Sequence, residues 1–193
     1  MDLQARRKSR RKLLRLAVTG AGAALGMARA QRSQTGRINI GDRGPQMIGR
    51  ATALGREYEA KYGNCAQCTV AALQDSIEFI PKEEQIFLAG SSLSGGATAN
   101  GNANCGGFTG AGIVIGQLCG RSRANFSNRS ANQLAGKLMR EVAGKYEQAY
   151  GSVLCKDVRE KAGKDCPEVV ARAAGWAAES ILKQLANYGA PQS

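Results

Sequence analysis

Six cysteines and no histidine set the chemistry open to this chain of 193 residues. Without imidazole there is no Ser–His or Cys–His catalytic pair, no Cys₂His₂ zinc site, no Rieske-type ligation and no Cys-x-x-Cys-His haem attachment. A transition metal would have to be held by sulfur and oxygen. Four of the thiols share a local setting. Asn64 precedes Cys65, Asn104 precedes Cys105, Ser152 lies three residues before Cys155, and Pro167 follows Cys166. Asn and Ser favour helix N-caps and Pro favours the first helical turn, so each of the four is expected at a helix start. A helix start carries partial positive charge and unpaired N–H groups, and so favours thiolate over thiol. If the four openings converge, Cys65, Cys105, Cys155 and Cys166 could ligate a [2Fe–2S] or [4Fe–4S] cluster, or zinc.

The other two cysteines differ. Cys65-x-x-Cys68 resembles a thioredoxin-type pair, although no βαβ pattern surrounds it. Cys119 lies about 21 Å from Cys105 along a helix, at about 1.5 Å per residue, and reads as a small buried apolar residue. An even number of cysteines in an exported chain also suits a disulfide framework. The residues therefore leave three readings open: a metal or cluster centre, a thiol–disulfide protein, and a disulfide-stapled binding module.

The elements that must position these thiols read as helices. Aromatic content is 5% while glycine numbers 25, a composition that suits closely packed helices better than a β-sandwich. Pro45 opens a helical pattern that Gly63 ends, Asn64 starts another that runs to Pro81, and Lys82 to Leu88 forms a short third. Residues 89–103 form a long loop of Ser, Gly, Ala, Thr and Asn that delivers the chain to Cys105, without the pattern of a phosphate loop. The central helix covers 105–119, and its glycines at 106, 110, 112 and 116 point to close backbone approach. Helices from Ser130 to Tyr146, around Cys155, and from Cys166 to about Tyr188 complete the chain. The expected class is all-α, a small bundle of about five to seven helices with a Gly-rich loop before the central one.

Residues 1–30 form an export signal. Ser9-Arg10-Arg11-Lys12-Leu13-Leu14-Arg15 is similar to a twin-arginine signal, an apolar run follows, and Ala28-Arg29-Ala30 is a small-x-small cleavage site. The apolar run falls short of the ~20 residues of a permanent membrane span. Residues 31–44 are polar and glycine-containing and read as a flexible linker, leaving 45–193 as the cysteine-bearing domain. Of the net charge of +12, +7 belongs to the leader; the remaining +5 is dispersed, without the basic stripe of a nucleic-acid binder. The mature protein is expected in the periplasm or outside the cell.

The run Asn64-Cys65-Ala66-Gln67, then Cys105-Gly106-Gly107-Phe108-Thr109-Gly110, then Tyr150-Gly151-Ser152-Val153-Leu154-Cys155, then Cys166 resembles the redox-active family named for its C-GCAxxG-C-C cysteine pattern. It is also similar to a region of split-Soret cytochromes. The likeness runs from about Arg50 to Leu185. It implies an all-α domain with a cysteine-based redox centre, plausibly iron–sulfur, and Cys65, Cys105, Cys155 and Cys166 as the shared set. Gly107 stands where the family motif has alanine, and the haem-binding parts of the cytochromes have no counterpart, so no haem is expected. With no paired catalytic carboxylates and no general base in view, an electron carrier is expected rather than an autonomous enzyme. Its partner would be a redox protein, with self-association left open.

Overall fold

The computed structural model describes residues 36–189. The expected signal peptide, 1–30, and the first part of the expected linker lie outside the described residues. Among the described residues the chain is all-α: seven α-helices, several short 3₁₀ turns and no strand. The helices are α1 (Gly44–Tyr62), α2 (Cys65–Ser76), α3 (Glu84–Ala89), α4 (Gly106–Cys119), α5 (Gln133–Tyr150), α6 (Cys155–Lys161) and α7 (Cys166–Leu185). None of them is long and apolar enough to cross a membrane.

The long helix α7 forms the spine, with α1, α2, α4 and α5 packed around it. Its inner face is built from alanine and β-branched residues, including Val169, Val170, Ala173, Ala177 and Ile181, all fully or almost fully buried. Small side chains let neighbouring helices approach closely, and dispersion contacts accumulate accordingly. Pairs of cations converge on single carboxylates to tie the helices. Glu168 binds Arg56 of α1 and, at 2.7 Å, Arg172; Glu179 binds Lys145 of α5 and, at 2.6 Å, Lys183.

The central helix behaves as its glycines suggest at one end only. A Cβ on Gly110 would lie 2.5 Å from the Ala66 carbonyl oxygen and 2.8 Å from Thr69 Cβ, so α4 presses its backbone onto α2. At Gly116 a Cβ would meet nothing within 4 Å, so that glycine has no such reason.

Three boundaries differ from the sequence reading. The helix opened by Asn64 stops at Ser76, because Ile77 turns extended and buries its side chain completely. Helix α5 continues past Tyr146 to Tyr150, since both tyrosines lie on the buried stripe and Gly151 supplies the left-handed cap. The segment read as a flexible linker is docked from Ile38 onward. Ile38 N–H donates to Leu185 at 2.9 Å, Asn187 N–H donates to Ile38 at 3.0 Å, and Ile40 is buried. Two apolar residues in a polar stretch were enough to seat it against the end of α7.

Candidate functional site

Cys65 begins α2. Asn64 before it adopts the left-handed conformation, φ 65°, and its Oδ1 accepts the Gln67 N–H at 3.3 Å. Its Nδ2 donates to the Ser91 carbonyl at 3.0 Å, so one side chain caps the helix and fastens the 89–103 loop. Cys155 and Cys166 likewise stand at the first positions of α6 and α7. Asp165 caps α7 by accepting Glu168 N–H at 3.0 Å, with Pro167 in the first turn. Cys105 departs slightly from expectation. It is itself the N-cap of α4, and Asn104 before it pairs with Leu154 in an antiparallel bridge.

That bridge sets two thiols side by side along the backbone. Cys105 N–H donates to Val153 O at 2.8 Å, and Cys155 N–H donates to Ala103 O at 2.9 Å. The loop 89–103 therefore delivers the chain to both cysteines. It also touches Cys65 and packs closely on Cys155: Ser94 Oγ lies 3.5 Å from Cys65 Sγ, and a Cβ on Gly96 would lie 2.7 Å from Cys155 Cβ.

Cys65 is the hub of the set. Burial pushes the Cys105 thiol up to about 12, and negative charge on Cys65 adds to it. The Cys155 and Cys166 thiols are raised by burial first and by Cys65 second. Opposing these effects, the N–H groups of Gly107 and Phe108 and the Tyr146 hydroxyl favour the Cys105 thiolate, and the Arg159 guanidinium favours the thiolates of Cys155 and Cys166. Tyr146 Oη donates to Cys105 Sγ at 3.8 Å from a fully buried position. The structure thus brings Cys105, Cys155 and Cys166 each within electrostatic reach of Cys65, all four as free cysteines. Among the described residues, no three Cys, Asp, Glu or His side chains are gathered closely enough to hold a single metal ion.

The remaining cysteines are engaged elsewhere. Cys68 Sγ donates to the Gly63 carbonyl at 2.8 Å, and burial, with Glu59 beside it, pushes its thiol up to about 12. Burial raises Cys119 to about 11, at the far end of α4. Sequence reasoning passed over Tyr146, Glu59 and Ser94. Tyr146 had a usable signal, since it continues the apolar spacing of Leu138 and Val142; Ser94 had none, being one of many small polar residues in its loop.

No curated protein and no solved structure matches this chain. One protein family does, the one described as "Putative redox-active protein (C_GCAxxG_C_C)", over residues 63–180. That stretch covers well over half of the chain and holds all six cysteines. The chain belongs to the redox-active C_GCAxxG_C_C family.

Proposed function

We propose that Cys65, Cys105, Cys155 and Cys166 act as one redox centre, holding an iron–sulfur cluster of the [2Fe–2S] or [4Fe–4S] type. The protein would be exported by the twin-arginine route to the periplasm and pass electrons to a partner protein. The observation that carries this reading is the position of Cys65, close enough to act electrostatically on each of the other three thiols. The donor set suits such a group: four sulfurs from four helix openings, no imidazole, and at Gly106 a bare backbone that lets Cys65 Sγ lie directly against α4. A lone ion suits it less, because three donors are not gathered at one point among the described residues. Zinc is the weaker occupant on that ground, while a cluster distributes its thiolates over more than one iron.

When bound, the cluster would supply one-electron chemistry. The protein's own part is to favour negative charge on the sulfurs and to keep water away. Tyr146 Oη and the N–H groups of Gly107 and Phe108 serve Cys105, and Arg159 serves Cys155 and Cys166. Cys65, Cys105 and Cys155 are buried and Cys166 is half-buried. Hydrogen bonds and positive charge near cluster sulfurs raise a reduction potential.

A second reading is favoured by the separate, free thiols. In it, two of the four thiols close to a disulfide, passing two electrons and two protons to a partner disulfide that becomes a dithiol, and reopen by the reverse exchange with a dithiol partner. Cys68 is a poor participant, since its proton is held by Gly63 and its pKa is about 12. Iron and acid-labile sulfide content, with visible absorbance, of protein purified without oxygen tests the proposal. Cluster loss is expected in each of Cys65→Ser, Cys105→Ser, Cys155→Ser and Cys166→Ser, and retention in Cys68→Ser and Cys119→Ser. Iron-free, colourless protein with a reversible two-electron dithiol couple would establish the second reading instead. Six cysteines locked in stable disulfides would leave only a stapled binding module.

A further inference from the structure

A cavity of about 490 Å³ opens beside Cys155. Its walls are the glycine-rich loop at Gly95 and Gly101 and the segment from Cys155 to Lys164. Three cations line it, Lys156, Arg159 and Lys164, against one carboxylate, Glu160. All four are exposed at its rim, while Cys155 is buried in its wall.

The cations of this cavity differ from many of those on the helix faces. Arg43, Arg56, Lys82, Lys145, Arg172 and Lys183 each hold a carboxylate. Among the described residues, Lys156, Arg159 and Lys164 hold none, although acids stand nearby in sequence. Those acids are turned elsewhere. Asp157 Oδ2 accepts the Ser152 hydroxyl at 2.7 Å, and Asp165 Oδ1 accepts Glu168 N–H at 3.0 Å. Lys164 is carried on a fixed turn, with φ 67° and its N–H donating to Arg159 O at 2.8 Å. The loop wall is equally fixed, since Lys156 N–H donates to Gly101 O at 3.0 Å. Three positive charges against one negative are therefore concentrated around a preformed hollow, and none of the three is engaged in an ion pair among the described residues.

We propose that this cavity binds a small molecule carrying two or more oxyanion charges, carboxylate or phosphoryl, and holds it against Cys155. A volume of about 490 Å³ falls within the roughly 300–1,000 Å³ of small-molecule sites. A concave wall of fixed charges also focuses the field onto a compact anion. The role of the site as the place where a small anionic redox substrate meets the thiol centre rests on the function proposed above. The binding itself rests only on the cavity and its charges.

The test is isothermal titration calorimetry of the full chain with citrate and with inorganic phosphate at low ionic strength. Saturable one-site binding is expected for at least one of them, weakening as chloride is added. Lys156→Gln combined with Arg159→Gln should weaken it about tenfold or more, as loss of charge-assisted hydrogen bonds does. Lys137→Gln, on an exposed cation outside the cavity, should leave it unchanged. Tighter citrate than phosphate identifies a polycarboxylate ligand, and the reverse a phosphoryl ligand. Absence of saturable binding by both anions overturns the inference, as does binding that the double substitution leaves intact. The two ideas fail separately: iron-free protein that still binds an anion strikes the redox reading alone, and cluster-bearing protein that binds neither strikes this one alone.

Discussion

Cys65 Sγ occupies the space over Gly106 that any side chain there would need. A Cβ on Gly106 would overlap the sulfur outright, and would lie 3.0 Å from Ala66 N and 3.2 Å from Leu93 O. The sulfur could turn away, but the two backbone atoms could not. Gly106→Ala should therefore destabilise the fold by about 1–3 kcal/mol, as overpacking does. It should also displace Cys65 and lower cluster or thiol occupancy. Urea denaturation and iron content of the same sample measure the two effects. Alanine tolerated with both unchanged would show that the close approach is not required.

Asn64 supplies two separable contributions, a left-handed backbone and a side-chain cap. Asn64→Gly keeps the first and should cost only a few tenths of a kcal/mol for the cap. Asn64→Ala loses both, and about 1–2 kcal/mol of left-handed strain adds to about 1 kcal/mol of lost cap. Denaturant midpoints of the pair, compared with wild type, separate the terms. Equal costs would mean that the Asn64 conformation contributes nothing.

Gly107 and Tyr146 are expected to be coupled. A Cβ on Gly107 would lie 2.8 Å from Tyr146 Oη, the hydroxyl that reaches Cys105 Sγ. Glycine at position 107 makes room for that hydroxyl. Gly107→Ala alone should be destabilising and Tyr146→Phe should relieve it, with an interaction energy of about 0.5–3 kcal/mol in a double-mutant cycle. Tyr146→Phe alone should lower the potential of a one-electron centre by on the order of 40 mV, for one hydrogen bond of about 1 kcal/mol. The ring itself remains against Phe108 and Trp176 in edge-on contact.

The metal-free, reduced chain should lose stability in alkali. Burial pushes Cys68 and Cys105 from an ordinary 9.0 to about 12 and Cys119 to about 11. The folded state then keeps protons that the unfolded chain has already shed. Unfolded thiols bind fewer protons above pH 9, so stability is intact below it and falls as pH rises toward 11–12. Thermal melts between pH 7 and about pH 10.5 should show Tm decline steepening past about 9. Loss of the decline in the Cys68→Ala and Cys119→Ala double variant would assign most of it to those two thiols.

Helix identity was legible because it rests on local signals. Asn64, Asp165, Pro167 and Gly63 mark ends through backbone chemistry that acts within a few residues. Boundaries failed where tertiary burial decided, as at Ile77, Tyr150 and Ile38, whose partners lie far along the chain. The places of the four thiols at helix starts could be read from the sequence, although the caps expected from Asn104 and Ser152 are not used, Cys105 and Leu154 standing there instead. The mutual placement of the thiols could not, because it depends on the Asn104–Leu154 bridge and on Gly106 and Gly110 pressing α4 against α2. The unpaired cations around Cys155 were equally hidden, since only the fold shows that Asp157 and Asp165 face elsewhere.

The paired hydrogen bonds joining Ala103 and Cys105 to Val153 and Cys155 form a clasp made wholly of main chain. Side chains at Asn104 and Leu154 can change without opening it. The backbones of Cys105 and Cys155 are yoked by it, so neither helix opening can shift without dragging the other. In the redox centre proposed above, a rearrangement on changing oxidation state would fall first on Cys65 and Cys166, which lie outside the clasp.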